Sequence, residues 1–342
     1  MRLKNLSAKI KIPNFLNKKL KIKKINQIYK RFENTLNIND NYIVAVSGGP
    51  DSMALAYLSK IYSLKKKLIS KFFVIDHKLR LNSSKEAQLV KKVLKKNFIN
   101  AEILKIHGKK PLKGIQSFAR DKRYKLLFKQ CDKYSIKNIL LGHHSGDLIE
   151  NFFIRLARGS GLKGLISLQK TSTIGTKNLI RPLFNQKKED LIFISRKVFN
   201  FYIDDPSNED KTFLRIKIRK FIKELNKNGL DEQKLLLTLK NLRLSDNVIN
   251  FYVKKNLEKN TFFIKKDNKL ILNLDFFRQP HEIIFRSLSE AVKLVGKKYY
   301  FARGRKLDNV INDFFYKKFF KITLGGCIIE KFNQTLVITK ER

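Results

Sequence analysis

The chain has 342 residues, 43% of them apolar, and carries 74 Lys+Arg against 29 Asp+Glu for a formal net charge of +45. The apolar share excludes a disordered chain, and the length accommodates two domains. The charge points to a polyanion, nucleic acid first, with drift toward Lys, Ile and Asn as the competing source of part of it. Cys131 and Cys327 are far apart and no CxxC occurs, which argues against a zinc site, an iron–sulfur cluster or a disulfide framework and fits a reducing compartment. The basic start, MRLKNLSAKIKIPNFLNKKLKIKK, has no unbroken apolar segment for a signal peptide, and no run approaches membrane-spanning length. A cytoplasmic protein without membrane association is expected.

No repeat at a fixed period is present. Residues 1–40 form a basic lead-in, with a helix over 23–37. Short apolar runs then alternate with helical patterns: strands at 42–46 (YIVAV), 72–77 (FFVIDH), 101–106 (AEILKI) and 138–144 (NILLGHH), helices at 51–64, 84–97, 114–134 and 147–158. This alternation predicts an α/β fold with a doubly wound parallel sheet covered on both faces. Ligands bind such sheets at the carboxyl ends of the strands, which gathers Ser47, Asp76 and His143 around one crevice. The alternation ends near 205–222, so one domain is expected over 41–222 and a smaller α+β domain over 225–342. The latter reads as a helical stretch at 229–257, a hairpin at 261–274 turning at Asp267-Asn268, helices at 280–295 and 304–319, and a closing hairpin, FKITLGG…LVITK.

VAVSGGPDSMAL, residues 44–55, puts two glycines between a buried strand and a helix. Gly48 and Gly49 let backbone N–H groups turn toward a ligand without Cβ obstruction, and Pro50 suits a first helical turn. With the free N–H donors of the helix start this makes a phosphate cradle, and Asp51 is placed to hold a magnesium ion against the phosphates. Neither a GKS/GKT P-loop nor GxGxxG is present. A plain tight turn with an N-cap aspartate is the alternative.

SGGPDS, Ser47 to Ser52, resembles the SGGxDS signature of the pyrophosphatase-loop ATPases, which cleave ATP between its α and β phosphates and adenylate a substrate oxygen. Further stretches resemble one branch, the tRNA(Ile)-lysidine synthetases. VIDHKLR (74–80) is similar to the DHxLR strand end, GIQSFARDKRY (114–124) to the Q-x-x-A-R-x-x-R-Y helix, and GHHSGDLIENFFIRLARGSGLKGL (142–165) to HHxxDxxE and the RGSG beyond. LIRPLF and DPSNEDKTFLRIKIR are similar to the end of the catalytic domain. Order and spacing agree over roughly residues 40–222, and the remainder is similar, more loosely, to the tRNA-binding region. The resemblance implies an adenine nucleotide alpha-hydrolase-like fold.

Each stretch also has its own physical reading. Gln116, Arg120 and Arg123 share one helix face at i, i+4 and i+7, to grip phosphates or a base edge, or else as a solvated basic face. On the 147–158 helix, Leu148, Ile149, Phe152, Phe153 and Leu156 form an apolar arc from which Asp147 and Glu150 point away. The two carboxylates would receive an ammonium, by resemblance that of lysine, or else stabilise the helix dipole. Two stretches depart from the branch: Gly146 and Leu148 replace the aspartate and glutamine of HHxDDQxE, and RNRIR becomes RIKIR, keeping Arg215 and Arg219 but placing Lys217 between them. His77 and His143 contact ATP or close the strand ends as structural histidines, as does His144.

The resemblance therefore implies catalytic roles for Asp51, Asp147, Glu150 and Arg215, and ATP contacts from Ser47 through Ser52 with Asp76, His77 and His143. It implies tRNA contacts from Arg80, Gln116, Arg120, Arg123, Arg158 and Arg219. The expected cofactors are ATP and magnesium. The expected partners are isoleucine tRNA with a CAU anticodon and free lysine, with a homodimer compatible but not specified. The expected reaction adenylates O2 of the wobble cytidine, then joins the lysine ε-amine to C2 to form lysidine. The rival readings are a tRNA thiolase of the same superfamily, disfavoured because neither cysteine is placed for sulfur transfer, and a non-catalytic basic RNA-binding protein.

Overall fold

The computed structural model describes residues 13–78, 82–106, 115–204, 214–297 and 304–341. The chain divides into two compact units, Met1–Leu236 and Leu237–Arg342. The division falls inside one long helix, whereas the sequence placed the break ahead of it at 222–225.

In the first unit, β1 (Tyr42–Val46), β2 (Ser70–Asp76), β3 (Ala101–Lys105), β4 (Asn138–Leu140) and β6 (Lys177–Ile180) are parallel, while β5 (Thr171–Ile174) pairs antiparallel with β6. The order is β3-β2-β1-β4-β6-β5. The sheet is thus mixed, carrying an antiparallel edge hairpin that the sequence reading did not contain. The helices are α1 (Asn14–Leu20), α2 (Lys23–Leu36), α3 (Pro50–Lys66), α4 (Ser83–Lys96), α5 (Ile115–Lys133), α6 (Ser145–Leu156), α7 (Leu162–Leu165), α8 (Lys188–Phe199) and α9 (Leu214–Lys227).

The central strands are continuous apolar runs because both faces are covered. Tyr42, Val44 and Val46 of β1 pack with α2, α3, α4 and α8 on one face, while Ile43 joins Phe73, Ile139 and Leu127 of α5 on the other. Each fully buried side chain of this kind contributes roughly 1.5–3 kcal/mol. On α2, Ile25, Ile28, Tyr29, Phe32 and Leu36 repeat at helical spacing and are all buried. α3 lies between sheet and α8 and is buried almost all round. β2 and β4 flank β1, so the chain reverses its progress across the sheet between β1 and β4. That switch point opens the crevice in which such sheets bind ligands.

The second unit holds most of α10 (Glu232–Asn260), then β7 (Thr261–Ile264), β8 (Lys269–Leu272), α11 (His281–Gly296), α12 (Gly304–Tyr316), β9 (Phe320–Leu324), β10 (Cys327–Phe332) and β11 (Thr335–Lys340). Its sheet runs β7-β8-β11-β10-β9, antiparallel throughout, with α11 and α12 sharing its core. The β7–β8 turn forms where expected, Asn268 taking φ 47°. The closing segment is a three-stranded meander, not the single hairpin expected.

Candidate active site

The chain leaves β1 at Val46 and enters α3 with Gly49 as N-cap and Pro50 in the first turn. Ser52 reaches back under the loop: its Oγ accepts from the N–H groups of Ser47 (3.1 Å) and Gly48 (3.1 Å) and donates to Gly49 O (3.0 Å). Gly48 sits at φ +92°, and a Cβ there would lie 2.7 Å from Ile203 Cδ1 and 2.7 Å from Val90 Cγ2. Here the structure corrects the expectation for Gly48, whose N–H does not turn toward a ligand. The N–H groups of Ser47 and Gly48 are held by Ser52, which shapes the loop from within. The aspartate is not an N-cap either. Asp51 lies inside the first turn, and Lys188 Nζ, from the start of α8, donates to its Oδ1 (2.8 Å) and Oδ2 (2.6 Å). Ser195 Oγ of α8 donates to Pro50 O (2.7 Å), fixing the two helices at this corner.

The loop floors a cavity of about 130 Å³. Ala45, Val46, Ile75 and Leu141 supply its apolar wall; Ser47, Gly49, Asp51, Ser52, His77, Arg123, Gly142 and His143 complete it. Gly142 lets the end of β4 pass close to α3, since a Cβ there would meet Ser52 N at 3.2 Å and Ser52 Cα at 3.3 Å. An apolar slot beside a loop at a helix N-terminus suits a base and its phosphates.

α6 begins beside this cavity. His144 caps it: Nδ1 accepts from Gly146 N–H (3.0 Å), and Asp147 Oδ2 accepts from His144 N–H (2.9 Å). An accepting Nδ1 leaves the ring proton on Nε2, which lies 3.9 Å from Asp51 Oδ2 and 3.8 Å from Asp147 Oδ2. Asp147 and Glu150 face α9. Arg215 donates through Nη2 to Asp147 Oδ1 (2.6 Å) and through Nε to Glu150 Oε2 (2.6 Å), and Arg219 Nε donates to Glu150 Oε1 (2.6 Å). Two carboxylates 7% and 8% exposed are thereby balanced by two guanidiniums.

Burial pushes the Asp147 carboxyl up, but His144, His143, Arg215 and the His144 N–H outweigh it and hold it below the usual carboxylate range. Burial pulls Arg215 down, and Glu150 and Asp147 more than restore it. His143 is pushed down to about 3, first by burial and then by Arg181, Arg123 and Arg215, against the opposing pull of Asp147. Its ring is neutral at physiological pH, and its Nδ1 is buried with no hydrogen-bond partner among the described residues.

The structure thus brings Ser47–Ser52, His77, Arg123 and His143 to one cavity, and Asp147, Glu150, Arg215 and Arg219 to an adjoining cluster. Several expectations are corrected. Asp76 does not line the cavity: it is 1% exposed and accepts from Lys78 N–H (3.0 Å), Ser83 Oγ (2.9 Å) and Ser84 Oγ (2.6 Å), pinning the β2–α4 connection. Burial raises its carboxyl, but these bonds hold it below the usual range. Arg219 pairs with Glu150 instead of standing on an RNA-facing surface. Arg120 and Arg123 do not share one solvated face: Arg120 is exposed, while Arg123 enters the cavity wall, both lying over the Tyr124 ring (5.6 and 5.5 Å). Leu156, in the last turn of α6, is exposed and leaves the apolar arc. Arg158 is exposed just beyond it. Arg80 and the side chain of Gln116 lie outside the described residues.

Lys188 and Arg181 were missed. Arg181, 3% exposed, donates through Nη1 to Gln169 O (2.8 Å) and Ser172 Oγ (3.0 Å), tying β6 to β5. LIRPLF contained Arg181 without giving it a role, and Lys188 sits in a charged run that offers no reason to choose it. Among the described residues no group of three or more His, Cys, Asp or Glu could hold a metal ion, and no helix is long and apolar enough to cross a membrane.

Comparison with known proteins matches the PP-loop domain family over residues 17–225. The tRNA(Ile)-lysidine synthase of Orientia tsutsugamushi (strain Boryong) is 33% identical over 317 residues, covering 89% of this chain and 70% of that protein. That of Wolbachia pipientis wMel is 30% identical over 319 residues, 91% of this chain and 74% of that protein. Among solved structures, the U34-tRNA thiolase NcsA from Methanococcus maripaludis with its [4Fe-4S] cluster superposes with a TM-score of 0.54 at 16% identity, over 64% of this chain and 78% of that chain, which speaks to the fold alone. A loop suited to phosphates at the switch point of the sheet, a carboxylate–arginine cluster beside it and these relatives agree: the chain belongs to the PP-loop family and, within it, to the tRNA(Ile)-lysidine synthases.

Proposed function

We propose that the chain joins free lysine to C2 of the wobble cytidine in the CAU anticodon of isoleucine tRNA, forming lysidine and changing decoding from AUG to AUA. The family supports ATP as the energy source and tRNA as the acceptor. The observation that carries the reading is the bridge made by His144, whose Nε2 stands 3.9 Å from Asp51 and 3.8 Å from Asp147. Through it the loop suited to phosphates adjoins the cluster suited to an amino acid, the adjacency a two-step ligation requires.

ATP sits with its base in the apolar slot and its phosphates over Ser47–Ser52. Cytidine O2 attacks the α-phosphorus, the bond to the bridging oxygen breaks, and pyrophosphate leaves with that oxygen. C2 becomes electrophilic. The lysine ε-amine, delivered by Asp147 and Glu150, bonds to C2, the C2–O2 bond breaks, and AMP leaves carrying the former O2. Arg215 and Arg219 hold the two carboxylates in place and balance their charge, and Arg215 is also placed to meet the carboxylate of lysine. The neutral His143 and the cation Arg123 face the reacting nucleotide. Positioning and charge stabilisation do the chemistry, with no protein nucleophile.

Asp51 fits magnesium: its hard oxygens line the cavity and already attract a cation, Lys188 Nζ. Magnesium asks for only one or two carboxylates beside phosphate oxygens, and when bound it neutralises phosphate charge. The second unit, with the α5 surface around Arg120, serves tRNA binding and rejection of methionine tRNA, and the protein acts in the cytoplasm.

The test is pyrophosphate release from ATP·Mg by the full chain on adding unmodified isoleucine tRNA. Release that is abolished in Asp51→Ala supports adenylation. Tight tRNA binding without release would replace this reading with that of a non-catalytic RNA-binding protein.

A further inference from the structure

The second unit carries large aromatic side chains in water where its core has no use for them. At the end of α12 and the start of β9, Phe315, Tyr316 and Phe319 are 55%, 88% and 79% exposed, and Phe332 at the end of β10 is 57% exposed. Two of these positions, Phe319 and Phe332, are neighbours across the sheet, and Tyr316 lies three residues ahead of Phe319. β10 pairs with β9 in the register Lys331↔Phe320, so one step further Phe332 stands opposite Phe319. Phe320 points into the core and Lys321 out of it, which puts Phe319 and Phe332 on the outer face. Lys331 Nζ donates to Phe314 O (2.6 Å) and Lys317 O (2.6 Å), strapping the end of β10 to the last carbonyls of α12. The Phe315 ring stands edge-on to Phe314 at 5.7 Å and to Phe277 at 6.3 Å, which anchors it to the core.

The charges around it are lysines. Lys317 and Lys321 side chains are 56% and 68% exposed and Lys318 is exposed, while the acids they meet, Asp313 and Glu330, are 26% and 23% exposed. Flat aromatic faces rimmed by ammonium groups match stacked bases and their phosphates. An apolar protein partner would have to place its own groups against those cations.

We propose that the Tyr316–Phe319–Phe332 surface binds unpaired nucleotides of RNA by stacking, with Lys317, Lys318 and Lys321 on the phosphates. It deepens the proposed function, resting on the reading that the substrate is an RNA, and assigns the second unit a single-stranded target.

The experiment measures affinity of the full chain for unmodified isoleucine tRNA and for a short unstructured pyrimidine oligoribonucleotide at one fixed salt concentration. The variants are Tyr316→Ala/Phe319→Ala, Tyr316→Phe, and Phe262→Ala as an exposed aromatic on the far edge strand. The double variant should bind both RNAs about 5- to 100-fold more weakly, as loss of base–aromatic stacking gives. Tyr316→Phe and Phe262→Ala should bind as the parent does, and all should keep the parental melting temperature, since these side chains are in water. Unchanged RNA affinity in the double variant overturns the proposal. So does a change confined to self-association, which would make the surface a protein interface. Lysine incorporation by the unmodified chain, measured alongside, separates failure of this surface from failure of the functional reading.

Discussion

Arg215→Met removes the guanidinium that bridges Asp147 and Glu150. Two charge-assisted bonds at 2.6 Å are lost, each worth roughly 1.5–3 kcal/mol where water is excluded. The Arg215 side chain is 49% exposed, so solvent screening at least halves the sum, leaving about 2 kcal/mol. The carboxylates keep Arg219 and the His144 N–H, which prevents a full unpaired-charge penalty. For a unit of this size that corresponds to a fall in melting temperature of about 4–8 °C. Asp147 also loses one of the influences that hold its carboxyl low, so its titration moves up. A depressed carboxyl stabilises the fold above the unfolded value near about 3.9 and loses that contribution as pH falls through the folded value. The variant should therefore lose less stability on acidification than the parent does. Its KM for lysine should rise at least about tenfold, because the two carboxylates lose the fork that positions them and lysine loses a partner for its own carboxylate. The assays are thermal melting against pH and lysine titration of pyrophosphate release. Arg215→Lys, which keeps a charge but not the fork, should fall between. An unchanged melting temperature together with an unchanged KM for lysine would refute the reasoning.

Three further substitutions probe the loop and its surroundings. Lys188→Met frees Asp51 of its ion pair; the fold should lose no more than about 1 kcal/mol while ATP affinity, measured by calorimetry, falls about tenfold. Gly142→Ala puts a methyl 3.2 Å from Ser52 N and 3.3 Å from Ser52 Cα, backbone that cannot yield; about 1–3 kcal/mol of stability should go, and ATP binding should suffer more than lysine binding. His143 is pushed down to about 3, so the unfolded chain takes up a proton below about 6.5 that the folded chain refuses. Stability should therefore fall as pH drops from about 6.5 toward 3, and His143→Asn should flatten that slope in urea titrations run across the range.

The α/β alternation was legible because a strand buried on both faces is written as an unbroken apolar run such as YIVAV, and its switch to helical spacing is abrupt. β5 and β6 were not, since TSTI is short, polar and partly exposed at the edge of the sheet, and KNLI is too short, with only Leu179 and Ile180 apolar. β10 was hidden for a related reason: CIIEKF alternates core residues with Glu330 and exposed Phe332, and the closing segment reads as one hairpin. Within the site, the types of the loop and of the carboxylates were readable. Their partners were not. Asp51 meets Lys188 across 137 residues, and Glu150 meets Arg219 across 69. No local pattern marks either pair. Arg219 read as an RNA contact because a lone arginine in a basic chain gives no sign of a buried carboxylate waiting for it. Asp76 sits beside strand ends in the sequence, yet two serines seven and eight residues on turn it inward.

The central claim is tested most directly by following lysine itself. The full chain, ATP·Mg, radiolabelled lysine and unmodified isoleucine tRNA with a CAU anticodon are incubated, and the tRNA is digested to recover its anticodon fragment. The account predicts label in that fragment, dependent on ATP and absent with Asp51→Ala or Glu150→Gln. Pyrophosphate release with no label in the fragment would contradict it, leaving the loop as an ATPase whose second substrate is not lysine.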